Sequence, residues 1–334
     1  MFTGHDRAQQ PFADVRDDGG RDAAATVARR DDVHLDFAGR GRYQGVTRQH
    51  AVEFELPASA PREGELYLVA HGWVHPTDSS INVALSQGRH AAPAGLALDV
   101  ADAAGTFRPA RTGLGFPAGK DKTILVPLHP HAPATGPRRF RLTTNLEVFW
   151  DRLGWAVGRP DVSVTSVRVP LAAADLRYRG FSETPPHAAG SPERPRYRVA
   201  GVAPRWLDLE GFHTRFGDVR PLLGTVDDRY VIMNAGDELA LRFTEAPPVA
   251  AGHTRDFIVV ADGWVKDGDY NTTASRTVLP LPTHASGRYD RRPATLEDDP
   301  VYRQHAEDFA TYHTRYVAPA ARAALRGAPE GARQ

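Results

Sequence analysis

Two histidines flank a tryptophan in the segment His71–His75, and imidazole nitrogens are common ligands of zinc. Along an extended strand His71 and His75 lie about 13 Å apart, at roughly 3.3 Å per residue, whereas the ligands of one zinc ion lie about 2 Å from it. A single ion therefore does not bridge them. Because residues two apart on a strand point to the same face, the pattern instead places both imidazoles beside Trp73 as a candidate ligand-binding surface.

A shortened version of this segment returns almost two hundred residues later. Val69-Ala70-x-Gly72-Trp73-Val74 matches Val260-Ala261-x-Gly263-Trp264-Val265 position for position. The repeat predicts a duplicated strand and turn that keeps the tryptophan and replaces the two histidines by Asp262 and Lys266. We favour Trp73 and Trp264 as equivalent core anchors, and the alternative is a platform on which a ligand stacks.

Side chains with oxygen ligands follow the second copy at alternate positions of a short segment. The candidate metal ligands are Asp262, Asp267, Asp269 and Asn271. The segment is not an EF-hand, because Thr272 stands where that loop needs glycine and Val278 where it needs a bidentate glutamate. A calcium ion that braces a loop is one interpretation, with Ca²⁺ as the cofactor. The interpretation we favour is a turn whose side chains satisfy their own backbone.

Polar residues after the first copy complete the candidate ligand-binding set, which is His71, Trp73, His75, Asp78, Asn82 and Trp264. Glu147 and Asp151 do not form an acid/base pair of the glycosidase type, because they lie about 13 Å apart on an extended strand. For Asp151 we expect an ion pair with Arg152 or Arg141. The sequence contains no nucleophilic serine in a G-x-S-x-G turn.

Composition excludes several classes of function. The chain has 334 residues, no cysteine, and 41 basic residues against 41 acidic ones. It therefore has no disulfide or thiolate chemistry, and it carries no net field that would hold a nucleic acid. We expect no membrane partner, because the chain shows no apolar run of membrane-spanning length and no export signal, so the default localisation is cytoplasmic.

Short apolar or alternating runs separated by Gly, Pro, Asn and Asp predict a mainly β protein: a jelly-roll-like (galactose-binding-like) β-sandwich with a second, smaller β unit and a C-terminal helix. Within the sandwich INVALSQ is predicted as a strand, and no helix of useful length is expected. The helix is predicted from Asp299 as its cap, Pro300 in its first turn and an apolar stripe that ends at Tyr316. The predicted spans are a disordered lead-in (1–45), the sandwich (46–158), a linker with crossing segments (159–225), the second β unit (226–290), the helix (291–326) and a disordered tail (327–334).

Several stretches, among them GELYLVAHGWVHPTDSSINVALSQG, LTTNLEVFWDRL, HTRFGDVRPLLGTVDDRYVIMNAGDELALRF and DFIVVADGWVKDGDYNT, resemble one family. They are similar to the C-terminal region of large bacterial FG-GAP repeat proteins, the relatives of cartilage acidic protein with ASPIC/UnbV segments. The resemblance covers roughly residues 37–316. It implies a terminal module without the repeat propeller, and it carries over no catalytic residue.

Two functions follow as hypotheses. The leading one is a non-catalytic binding or assembly module for a carbohydrate or protein ligand. The rival is a metal-assisted hydrolase or lyase that uses Asp262, Asp267, Asp269 and Asn271 with a histidine such as His71 or His284.

Overall fold

A computed structural model describes residues 9–36, 41–119, 121–129, 131–159, 162, 164–186, 192–201, 208–266, 274–285 and 292–318. The chain forms two compact units. Unit 1 takes in Met1–Thr165 with Pro185–Arg194, and unit 2 takes in Ser166–Thr184 with Pro195–Gln334.

Unit 1 contains eight described strands in two antiparallel sheets. The strands are β1 (Asp14–Arg16), β2 (Val46–Glu55), β3 (Leu66–Val74), β4 (Leu96–Ala101), β5 (Phe107–Leu114), β6 (Lys122–Pro127), β7 (Arg139–Leu146) and β8 (Val148–Val157). The larger sheet has the order β1-β2-β7-β4-β5 and the smaller one the order β6-β3-β8. Neighbours such as β2 and β7 are far apart in sequence, as expected for a jelly-roll-like sandwich.

One hydrophobic core lies between the two sheets. Phe54, Leu98 and Phe140 contribute to it from the larger sheet, and Leu68 and Trp150 from the smaller one. On β2 the buried residues alternate with more exposed ones, as the sequence alternation predicts. The central strand β3 is almost wholly buried, in keeping with its continuous apolar sequence. The predicted mainly β fold with a sandwich is therefore confirmed.

A β-bulge interrupts the pairing of β3 with β8. His71 pairs with Arg152 and Gly72 pairs with Trp150, so Asp151 is an extra residue on β8. A Cβ atom at Gly72 would lie 2.2 Å from the carbonyl oxygen of Phe149, so only glycine fits there. Bulges turn side chains away from the regular ladder, and this one determines the direction of Asp151.

The predicted disordered lead-in is wrong for residues 9–36. Strand β1 pairs with β2, and Phe12, Val15 and Val27 are buried in the core of unit 1. The segment shows no sequence period because its few apolar side chains are buried one at a time, and most of the segment is not in regular structure. Residues 1–8 and 37–40 lie outside the described part of the chain.

Helix α1 (Ser79–Gln87) replaces the strand predicted for INVALSQ. Asp78 is its N-cap, because its Oδ1 accepts a hydrogen bond from the Ile81 amide at 2.7 Å. Among the helical residues only Leu85 is buried. The helix therefore lies on the outside of unit 1 rather than in a sheet.

Unit 2 is built from short antiparallel sheets. Its described strands are β9 (Leu171–Tyr178), β10 (Phe181–Glu183), β11 (Arg196–Gly201), β12 (Gly211–His213), β13 (Gly217–Asp218), β14 (Asp237–Phe243) and β15 (Arg315–Val317). The sheets have the orders β13-β9-β14, β10-β11 and β12-β15. The span 159–225, expected to be a linker, thus includes β9, the central strand of the three-stranded sheet.

The predicted C-terminal helix is only partly correct. Asp299 caps helix α2 (Pro300–Gln304) by accepting a hydrogen bond from the Val301 amide at 2.9 Å, as predicted. The chain leaves helical geometry at His305 and continues as helix α3 (Ala306–Thr311). The chain then continues as strand β15, in which residues 315–317 pair with β12. The part of the chain that the structure describes contains no helix long and apolar enough to cross a membrane. The predicted tail, 327–334, lies outside the described residues.

Candidate ligand-binding site around Trp264 and His284

The first tryptophan segment does not form a ligand platform. Trp73 is only 6% exposed and stacks on Phe149 with ring centroids 4.6 Å apart. It is the core anchor that the favoured interpretation predicts. Its indole is therefore closed to a ligand, and the stacking alternative is wrong for Trp73.

The two histidines beside Trp73 have different partners. His71 is buried, and its Nδ1 lies 2.9 Å from Thr123 Oγ1. His75 is half-exposed, and its Nδ1 lies 3.3 Å from Glu147 Oε2. The structure therefore gives His71 and His75 separate roles.

The remaining first-segment candidates belong to helix α1. Asp78 caps the helix, so one of its carboxylate oxygens is already engaged, and Asn82 is exposed on the helix surface.

The ion pair predicted for Asp151 is not formed with either arginine among its described contacts. Arg141 binds Asp99 at 2.9 Å, and Asp151 Oδ1 accepts a hydrogen bond from the Asp31 amide at 3.2 Å.

The second tryptophan segment is not a strand, which corrects the predicted duplication. Residues 253–266 have no regular secondary structure, and the side chains of Phe257–Val260 are exposed. A run of β-branched and aromatic residues favours a strand only where a partner backbone is present, and none of the described strands pairs with this segment. Trp264 is consequently 47% exposed, so the prediction of a core anchor is wrong there.

Trp264 lies beside a histidine held between two carboxylates. The Trp264 and His284 rings meet edge to face with centroids 5.8 Å apart. His284 Nδ1 lies 2.5 Å from Asp228 Oδ1, and His284 Nε2 lies 3.0 Å from Asp262 Oδ2. We call Asp228, Asp262, Trp264 and His284 the Trp264 site.

Asp228 fixes the position of the imidazole. Its carboxylate accepts hydrogen bonds from Thr283 Oγ1 at 2.6 Å, from the Tyr230 hydroxyl at 2.9 Å and from the His284 amide at 3.1 Å, besides the contact with the ring. Its backbone has φ = 61°, a left-handed conformation that is uncommon for residues other than glycine. These contacts hold Asp228 in a single arrangement against the His284 ring.

Charge at the site favours a protonated imidazole. Burial alone would raise the pKa of Asp228, but the hydrogen bonds from Thr283, His284 and Tyr230 outweigh it and hold that pKa well below its usual value. The pKa of His284 is raised, first by its hydrogen bond with Asp228 and also by the nearby charge of Asp262. With a carboxylate at each nitrogen, both nitrogens of His284 act as donors.

Lys266 anchors the end of the tryptophan segment. Its Nζ donates to the carbonyl oxygens of Thr277, Val278 and Pro280 at 2.9–3.1 Å. Burial lowers its pKa to about 8. The ammonium group thus ties the residue two positions after Trp264 to the loop that leads to His284.

The proposed calcium segment is only partly within the described residues. Asp262 is described and contacts His284, whereas Asp267, Asp269 and Asn271 lie outside. Among the described residues no group of three or more His, Asp or Glu side chains is placed to hold a metal ion.

Sequence reasoning proposed Trp264, Asp262 and His284 but missed Asp228. Asp228 is separated from His284 by 56 positions, and Thr283 and Tyr230 are its other partners. The only local signal was the Asp227–Asp228 pair in a turn, which by itself predicts a loop.

No family model, no curated protein and no solved structure matches this chain.

Proposed function

We propose that the chain is a non-catalytic binding module and that the Trp264 site takes a carbohydrate ring. The observation that supports this most directly is the half-exposed indole of Trp264 beside the polar groups of Asp262 and His284. Aromatic faces pack against the apolar face of a ring, while charged groups at the edge take its hydroxyls. We also propose that the chain is related to the terminal module of FG-GAP and ASPIC/UnbV proteins.

The state of His284 favours binding over catalysis. A general base needs an imidazole nitrogen with a free lone pair, and both nitrogens of His284 face carboxylates. A protonated His284 instead serves as a hydrogen-bond donor. Asp262 is partly exposed and has a second oxygen with which to accept hydroxyl groups.

The tryptophan itself provides the test. In a glycan array followed by calorimetric titration of the best ligand, we expect Trp264→Ala to weaken binding about tenfold or more, which corresponds to about 1.4 kcal/mol. Calorimetry is the suitable readout because the substitution removes the fluorophore at the site.

Phe243→Ala is the matched control, since Phe243 is an aromatic residue of unit 2 with similar exposure that lies on β14. It should leave the affinity unchanged. The proposal fails if the wild-type chain binds no glycan on the array, or if both substitutions weaken binding equally.

A metal-assisted hydrolase or lyase is the second candidate, and one contact favours it. His284 Nε2 and Asp262 Oδ2 lie 3.0 Å apart, and Asp262 opens the segment with Asp267, Asp269 and Asn271. A divalent ion could replace the proton between the two side chains, as metal ligands commonly have a carboxylate on the other imidazole nitrogen.

Melting with added ions separates the two candidates. An ion that binds the folded state raises the melting temperature. At an ion concentration of a hundred times the dissociation constant, binding adds about 2.7 kcal/mol to the free energy of unfolding. If the rival holds, Ca²⁺, Mn²⁺ or Zn²⁺ raises the melting temperature of the wild-type chain but not that of Asp262→Asn. No shift with any of the three removes the rival.

A further inference from the structure

A polar cleft of about 510 Å³ opens on unit 1, well away in sequence from the Trp264 site. Its charged lining consists of the carboxylates of Asp31, Asp32, Asp121 and Asp151 and the guanidinium groups of Arg30 and Arg194. The buried His71 completes the lining. Arg29 binds Asp31 at 2.7 Å as well, so the four carboxylates exceed the three guanidinium groups around them by one, and we call the space the Asp151 cleft.

One guanidinium group is already bound there by carboxylates. Arg194 donates two hydrogen bonds of 2.6 Å to the two oxygens of Asp32 and one of 2.7 Å to Asp121 Oδ2. The hydrogen bond with Asp32 raises the pKa of Arg194, and the same contact lowers that of Asp32, so both stay charged. The geometry of this cleft therefore suits a planar group with several N–H donors.

Two acceptors in the cleft remain uncommitted. Asp121 Oδ1 is buried and has no hydrogen-bond partner in the described part of the chain. Asp151 is 2% exposed, and among the described residues its side chain has one hydrogen bond, which Oδ1 accepts from the Asp31 amide at 3.2 Å. The two oxygens of a carboxylate accept several hydrogen bonds, so Asp121 and Asp151 have capacity left for further donors.

The β-bulge explains why Asp151 faces the cleft. In a regular ladder the residue between Trp150 and Arg152 would pair with β3, but the bulge leaves Asp151 unpaired. No cation among the described residues pairs with the Asp151 carboxylate, and the backbone geometry of the bulge sets its position. It is thus preorganised for a donor from outside.

The cleft does not favour a metal ion as its ligand. Within the described ranges the acidic side chains and His71 do not come together in any group of three that could hold a metal. Acceptors on two separate carboxylates are better matched by an extended cation whose N–H groups point in several directions.

We propose that the Asp151 cleft binds a guanidinium group, with Asp151 and Asp121 as its acceptors. The ligand class is an arginine-like cation, which enters beside Arg194 and supplies the donors that both carboxylates lack. All residues of this site belong to unit 1, whereas those of the Trp264 site belong to unit 2.

Calorimetric titration of the whole chain with arginine methyl ester tests the proposal. We expect binding with a dissociation constant on the order of 1 mM or tighter. Asp151→Asn and Asp121→Asn should each weaken it about tenfold, since a neutral amide replaces one charged acceptor. Citrulline methyl ester keeps the α-amino group and a side chain of the same shape but has a neutral urea group in place of the guanidinium, and it should not bind.

Glu63→Gln is the control variant, because Glu63 is an exposed carboxylate of unit 1 outside the cleft. It should bind like the wild type. Asp121 is more exposed than Asp151, so Asp121→Asn keeps the test decisive if Asp151→Asn does not fold. Absence of binding to the wild type, equal binding of the citrulline ester, or an Asp121→Asn variant that binds like Glu63→Gln would overturn the assignment.

Discussion

Replacing Arg315 with methionine is expected to destabilise unit 2 by about 3–5 kcal/mol, the usual cost of removing one partner from a buried ion pair. The Asp237 side chain is 0% exposed, and both of its oxygens contact the Arg315 guanidinium. Arg315 also donates Nε to the Thr214 carbonyl oxygen at 3.0 Å. Without Arg315 the Asp237 carboxylate stays buried, and no other cation within the described ranges pairs with it. Urea denaturation followed by far-UV circular dichroism measures the loss.

Arg303→Met is the matched control for this prediction. Arg303 pairs with Asp298 at 3.3 Å, but both side chains are about half-exposed or more, so the pair contributes about 0–1 kcal/mol. The double variant Arg315→Met with Asp237→Leu should recover part of the stability, because no unpaired charge remains. Equal losses from Arg303→Met and Arg315→Met would contradict the interpretation.

The sequence predicts the sandwich well because its strands carry their own signal. On β2, buried His50, Val52 and Phe54 alternate with more exposed residues, which identifies both the strand and its inner face. The partners of each strand are less accessible to this reasoning. Nothing in the local pattern says that β2 pairs with β7, almost a hundred residues later.

Helix α1 shows how a local pattern misleads. Ile81, Val83 and Leu85 alternate with the smaller or polar residues Asn82, Ala84 and Ser86, so the segment fits the period of a strand. The structure forms a helix instead, and the deciding residue is Asp78, whose side chain caps the first turn. The capping residue was visible in the sequence, but we assigned it to ligand binding.

The repeated Gly-Trp-Val motif shows a second limit. The two copies are nearly identical locally, yet Trp73 is buried on a central strand and Trp264 is half-exposed in irregular chain. Local sequence sets a propensity, whereas burial depends on which backbone lies alongside. For the same reason, the contact of His284 with Asp228 could not be predicted from either residue.

The two candidate sites use carboxylates in opposite ways. At the Trp264 site Asp228 is saturated with donors and only positions His284, so the ligand must use what His284, Asp262 and Trp264 leave exposed. In the Asp151 cleft the buried carboxylate of Asp151 has few donors and is itself the binding group. A neutral ring therefore suits the first site, and a cation suits the second.

Acid is expected to destabilise the fold through His313. This residue is 3% exposed, its Nδ1 lies 3.0 Å from Thr214 Oγ1, and burial lowers its pKa to about 4 from the usual 6.5. The unfolded chain then binds a proton that the folded chain does not, so stability is full above pH 6.5 and falls as the pH drops toward 4. At about 1.4 kcal/mol per pH unit the loss reaches about 3 kcal/mol. Urea midpoints measured from pH 7.5 to pH 4 should follow this curve.

His313→Gln is expected to flatten the pH dependence, because glutamine does not titrate and can still hydrogen-bond to Thr214. Other groups act around the same ring: the charge of Asp308 raises the pKa of His313, and Arg229 and His213 lower it. His213 is also buried with a lowered pKa, so it leaves a smaller loss in the same window. His253→Gln, at an exposed position, should leave the wild-type curve intact. A His313→Gln variant that loses as much stability between pH 6.5 and pH 4 as the wild type would show that His313 is not the titrating group.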